Sequence, residues 1–213
     1  MKTIKIINKI RLTENGLVIG RSKQLAHLRQ GEIDGACAVY SMMMCLIIEQ
    51  VIKRKIVTDV PDKKKLKRNT SEGRLIRHFL ERQGMIVEGY EIENLSIELK
   101  RAFSKKVAPL YDNIEINADF MKDVIEYLDD NHPVEIGFSY TKKSGHAVVA
   151  VGYEIGNDVI SLFCLDPGYD LIEGQYWNNV LEIDTSSSVK YNCTNLRDKR
   201  KVFVDEMMVV LKK

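Results

Sequence analysis

The sequence predicts an α+β fold, with helices in the first half and an antiparallel sheet in the second. Residues 36–51, ACAVYSMMMCLIIEQV, form a nearly unbroken apolar run of helical length, and after Pro133 the apolar residues switch from a helical period to alternation. No internal repeat and no Pro/Gly/Ser-rich linker divides the chain, so residues 1–213 read as a single domain. With 213 residues, 45% of them hydrophobic, such a domain buries roughly 70% of its unfolded surface, which excludes a disordered tail or a staple-dependent mini-protein.

The elements follow in order. The run from Ala36 to Val51 is apolar almost all round, the pattern of a helix buried at the centre of a domain. Asp34 is its expected N-cap, which puts Cys37 in the first turn, and Lys53, Arg54 and Lys55 suit its C-terminal dipole. Residues 59–70, DVPDKKKLKRNT, read as a solvated loop. Ser71 to Gln83 is an amphipathic helix with Leu75, Ile76, Phe79 and Leu80 inward, ended by Gly84. Ala118 to Asp130 is another, stopped by Asn131, His132 and Pro133. A meander comes next: a strand carrying Val134, Ile136 and Phe138, a turn to Gly145, a strand from His146 to Ile155, a turn at Gly156–Asp158 and a strand from Val159 to Leu165. Further strands are expected at Val180–Ile183 and Val202–Leu211, with residues 185–200 as a polar excursion between them.

Charge and cysteine usage narrow the partners. The net charge is only +2, and the basic stretch at 59–70 has no aromatic residues to stack on bases, so no nucleic acid is expected. No run approaches ~18 apolar residues, and the N-terminus intersperses Lys with Ile, so neither a membrane span nor a signal peptide is expected. The four cysteines, at 37, 45, 164 and 193, fit neither a disulfide framework nor a zinc site. A reducing, cytoplasmic setting is the expectation, with non-classical export left open. Without a Gly-rich phosphate loop or a His-Glu-x-x-His motif, no cofactor and no metal are expected. Nothing sets the oligomeric state.

Two segments carry chemistry. In the first, Gln30 to Ser41, a thiol in the opening turn of a helix meets unsatisfied N–H groups and the positive dipole end, which favour the nucleophilic thiolate of Cys37. Gln30 stands upstream, where its amide can donate to an oxyanion beside the Cys37 main-chain N–H. In the second, His146 begins a strand just after Gly145, and the next strand ends at Asp166-Pro167-Gly168. The short turn between these strands returns Asp166 to the same sheet edge as His146, where a carboxylate orients an imidazole. Cys45, Cys164 and Cys193 read as structural, Met42 to Met44 as core, His27 as a surface loop residue, His78 and His132 as surface or capping residues, and Trp177 as packing over the sheet edge.

These two segments resemble those of papain-like cysteine peptidases, in particular the branch of bacteriocin-leader-processing (double-glycine) peptidases. The resemblance is concentrated in residues 27–48 and 144–168. It implies a papain-like fold, a central buried helix packed on an antiparallel sheet. It also implies Cys37 as nucleophile, His146 as general base and acid, Asp166 as orienting carboxylate and Gln30 as oxyanion donor. A peptide or isopeptide bond of a peptide or protein substrate would then be cleaved through an acyl-enzyme. Two positions depart from the family: Gln30 lies seven residues before Cys37 instead of the usual six, and Ala38 replaces a common Gly. No transporter domain accompanies the motifs, so leader cleavage is not the expected task. The same residues serve deamidation or acyl transfer, and a non-catalytic peptide-binding module of the same fold also stays open. The groove walls are expected from residues 53–70 and 185–200.

Overall fold

The computed structural model describes residues 3–31, 36–58, 67, 69–81, 90–142, 144–188 and 192–213. The chain opens with short strands β1 (Thr3–Ile6), β2 (Ile10–Thr13) and β3 (Gly16–Ile19), followed by helix α1 (Cys37–Ile48). Helices α2 (Arg54–Thr58), α3 (Ser71–Glu81) and α4 (Ile92–Phe103) come next, then β4 (Val107–Asn113) and α5 (Phe120–Asp129). The second half holds β5 (Val134–Thr141), β6 (Ser144–Ile155), β7 (Val159–Leu165), β8 (Asn179–Asp184), β9 (Cys193–Asn195) and β10 (Arg200–Lys212). Helix and sheet content is therefore α+β. None of the helices among the described residues is long and apolar enough to cross a membrane.

Helix α1 is buried from Ala38 to Ile48 apart from half-exposed Tyr40, as its all-round apolar sequence requires, and it packs on β6, β5, β10 and α4. Its ends differ from the expectation. The cap position is Ala36, whose side chain makes no capping bond, while Asp34 lies outside the described residues. The helix stops at Ile48 with no basic residue in its last turn, so Lys53, Arg54 and Lys55 do not serve its dipole. Helix α3 covers the expected segment, while Gly84 and most of the 59–70 loop lie outside the described residues.

The first half is less helical than expected. Strands β2 and β3 form a hairpin, and β1 pairs antiparallel with β6. At Gly152 the two backbones are so close that a Cβ would stand 2.3 Å from the Lys5 carbonyl oxygen, so only glycine fits. Helix α4 and strand β4 were also not anticipated. Helix α4 is marked by Ile92, Leu95, Leu99 and Phe103, a helical spacing that buries all four. Strand β4 carries Pro109, and it lies at the sheet edge, paired with β10 alone among the described strands.

The expected meander of β5, β6 and β7 is present, and the sheet that holds it closes. Strand β6 pairs with β5 and β7, β7 with β8, β8 with β9, β9 with β10, and β10 returns to β5, all antiparallel. Alternation of side chains has period two in an open sheet and in a closed ring alike, so the sequence pattern could not separate them. Closure depends on β10, whose first residues pair with β9 and whose later ones pair with β5, with a register shift between Val204 and Glu206.

Register sorts the side chains into two faces. Phe138 pairs with both His146 and Val204, and Ile136 with Val148, so these side chains share the inner face of the ring. Glu135, Gly137, Ser139 and their partners Ala147, Val149 and Glu206 share the outer one. Ser41 on α1 donates its hydroxyl to the Ala147 carbonyl at 3.1 Å, and Cys37 and Ala38 line a cavity with Gly137 and Ala147. The outer face of β5 and β6 is therefore the seat of α1.

Candidate active site

Strand β6 begins at the rim of the ring, and its third residue is His146. The β6–β7 register aligns Val149 with Leu165, which brings the residues just past β7 beside the start of β6. The His146 Nε2 lies 2.7 Å from Asp166 Oδ1, so the sequence-predicted pairing of these two side chains is met. Gly168 makes room for it: a Cβ there would stand 3.1 Å from Asp166 Oδ1 and 3.6 Å from His146 Cε1.

Asp166 has no exposed surface, and its oxygens are held from several sides. Besides His146, its Oδ1 accepts from the Gly168 N–H at 2.8 Å, and its Oδ2 accepts from Asn179 Nδ2 at 2.8 Å. Burial works against its charge, but the bond to His146 leads the contacts that outweigh burial and hold the carboxyl below its ordinary value. Its main chain is held as well. Asn178 accepts from the Asp166 N–H at 2.6 Å and donates to its carbonyl at 2.9 Å, while His27 Nε2 lies 2.9 Å from that carbonyl.

His27, Asn178 and Asn179 are members of the site that sequence reasoning missed. His27 is not a free surface residue; burial, its largest influence, lowers its pKa. Two adjacent asparagines at the start of a strand were the only signal for the other two, and asparagine is too common in turns to stand out. Trp177, next to them, stacks on Phe163 with ring centroids 4.2 Å apart, the packing role expected of it.

Cys37 is the first residue of α1, a free and half-buried thiol. The first turn has no acidic residue and no side-chain cap, and Cys37 sits at its positive end. Cys37 and His146 share a cavity of about 200 Å³ with Ala38, Tyr90, Gly137 and Glu206 among its walls. Burial lowers the His146 pKa, but hydrogen bonds with Asp166 and then Cys37 override it and raise the imidazole to about 10. The imidazole therefore stands between thiol and carboxylate, an arrangement able to move a proton between a nucleophile and a leaving group.

Gln30 is placed differently. Its main-chain N–H donates to the Pro167 carbonyl at 2.9 Å, tying the segment before α1 to the Asp166 corner. Its Oε1 is buried without a hydrogen-bond partner, and Gln30 is not among the walls of the Cys37 cavity. Among the described residues those walls come from α1, residues 90–92, β5, β6 and β10; most of 59–70 and residues 189–191, where groove walls were expected, lie outside the described residues. Cys45 and Cys164 are fully buried, and burial raises both thiols well above their ordinary range. Among the described residues, no group of His, Cys, Asp and Glu could hold a metal ion.

A thiol at a helix start facing an imidazole–carboxylate pair on a β-ring has the make-up of a papain-like cysteine peptidase site. Comparison with known proteins agrees on the class: the family model described as Peptidase_C39 like family matches residues 19–193, a span that includes Gln30, Cys37, His146 and Asp166. The chain belongs to that family, in the bacteriocin-processing branch of the papain-like cysteine peptidases. No curated protein matches it.

Proposed function

We infer that the protein hydrolyses a peptide or isopeptide bond with Cys37 as nucleophile, His146 as general base and acid, and Asp166 as the orienting carboxylate. The observation that carries this reading is the 2.7 Å contact from His146 Nε2 to Asp166 Oδ1, on a ring that shares its cavity with Cys37. The sulfur attacks the carbonyl carbon, and the C=O bond becomes an oxyanion near the N-terminus of α1. There the Cys37 N–H is the assigned donor, Gln30 lying outside the walls of this cavity. His146 passes a proton to the amine as the C–N bond breaks, leaving a thioester. Water then gives a proton back to His146 as it attacks the thioester, and the acid product leaves. Asp166 stabilises the imidazolium in both steps and, through Nε2, leaves Nδ1 for the thiol. A papain-like architecture is part of the same reading, supported by the packing of α1 against β5 and β6.

The test is turnover of a fluorogenic peptide library by wild type and Cys37→Ala, with circular dichroism as the folding control. Cleavage that vanishes in Cys37→Ala is expected; a fully active Cys37→Ala overturns the reading. Product mass separates hydrolysis, which yields two fragments, from deamidation, which adds about one dalton and leaves the chain whole.

A further inference from the structure

The cavity at Cys37 does not end at His146. It adjoins a larger one of about 390 Å³, and the two share Glu91, Ser139, Asp205 and Glu206 as walls. The larger cavity adds Glu93 and Glu115, with Lys142 as its only cation among the described residues. Glu91 accepts from Asn94 Nδ2 at 3.0 Å, Asp205 from the Ser139 hydroxyl, and Glu206 faces Tyr111 and the Ile92 N–H, so the donors meeting these three are neutral. Burial, with Asp205 as the next influence, raises the Glu206 carboxyl to about 7, and burial also raises Asp205.

A second observation points to what is missing. Glu135 has no exposed surface, and neither of its carboxyl oxygens has a hydrogen-bond partner. It lies on the same face of β5 as Gly137 and Ser139, one pair further in, and Gly137 forms part of the cavity floor. After burial, the groups that act on its carboxyl are Glu206 and Cys37, both cavity walls, so its place on this face lies just behind the inner end of the cleft. Without a counter-charge a buried carboxyl keeps its proton, and a cation entering the cleft supplies that charge. A single divalent ion does not fit the arrangement, because the described acidic side chains do not converge on one point. Negative charge spread along a cleft suits positive charge spread along a chain.

We propose that the two cavities form the substrate cleft for a basic peptide, with a Lys or Arg side chain next to the scissile bond lodged against Asp205 and Glu206. Further basic residues follow Glu91, Glu93 and Glu115. This specificity rests on the reading of Cys37 as the nucleophile, yet its test does not depend on turnover.

Cys37→Ala protein is titrated with three fluorescein-labelled peptides that differ only in carrying Lys/Arg, norleucine or Glu, followed by anisotropy at low and high salt. The basic peptide is expected to bind about tenfold more tightly than the norleucine one, with the advantage shrinking at high salt. Glu206→Gln or Glu91→Gln is expected to remove most of it; Glu91 is exposed, so its substitution stands if Glu206→Gln fails to fold. Equal affinity for the basic and norleucine peptides, or a preference that both substitutions leave intact, overturns the proposal. Basic peptides bound but never cut by wild type would uphold the cleft and overturn the peptidase reading. Cleavage indifferent to charge would do the reverse.

Discussion

Asp166→Asn keeps the size of the side chain and removes its charge, which isolates what the carboxylate does for His146. The imidazole is held up to about 10, from 6.5 when unfolded, and its side chain is 15% exposed, so solvent screens little of the interaction. A histidine with a raised folded pKa contributes stability that is fully present below pH 6.5 and is lost as pH rises through about 10. At pH 7 roughly three pH units remain below that upper limit, and at 1.36 kcal/mol each the charged ring is worth about 4 kcal/mol. In the variant the hold of Asp166, the larger of the two that raise the ring, is gone while that of Cys37 stays, so most of that amount disappears. Urea unfolding from pH 6 to about pH 9 reads it directly. Wild type is expected to lose stability relative to the variant across that window, starting from an advantage of at most about 4 kcal/mol near neutrality. A variant within about 1 kcal/mol of wild type at pH 7, with the same pH slope, refutes the account of His146 as a charged ring held by Asp166.

Four shorter predictions accompany it. Iodoacetamide, with peptide mapping, is expected to label Cys37 fast well below pH 8 and ahead of the buried cysteines, and His146→Ala should slow it. Gly168→Ala, which brings a methyl to 3.1 Å from Asp166 Oδ1, is expected to cut turnover about tenfold or more while unfolding shifts by less than about 2 kcal/mol. Gly152→Ala forces β1 off β6 and should destabilise by about 1–3 kcal/mol in a urea melt. Glu135 holds its proton far above the ordinary 4.5, so the native state loses stability as pH rises past that value. Glu135→Gln is spared this loss and should gain stability with pH, by at most about 3 kcal/mol at pH 7.

Much of this site was legible because it is local. Cys37 at a helix start and the short β6–β7 turn are set by residues close in sequence, so the helix and the His146–Asp166 pairing could be read from periodicity and spacing. What was not legible depends on distant partners. Asn178 and Asn179 matter only because β8 lies beside β7 at the Asp166 corner, and His27 only because its loop crosses that corner. Asp205 and Glu206 become cleft walls through the pairing of β10 with β5, far apart in the chain. The ring closure is of the same kind. The Gln30 role is the opposite case, suggested by a motif and located by the structure beside Pro167, away from the cavity wall.

The place of β10 also orders events in time. It pairs with β4, β5 and β9, so the ring and the acidic side of the cleft cannot form until residues 200–212 have left the ribosome. The thiol is made early and its cleft last, so a nascent chain carries Cys37 without a finished place for substrate to lie.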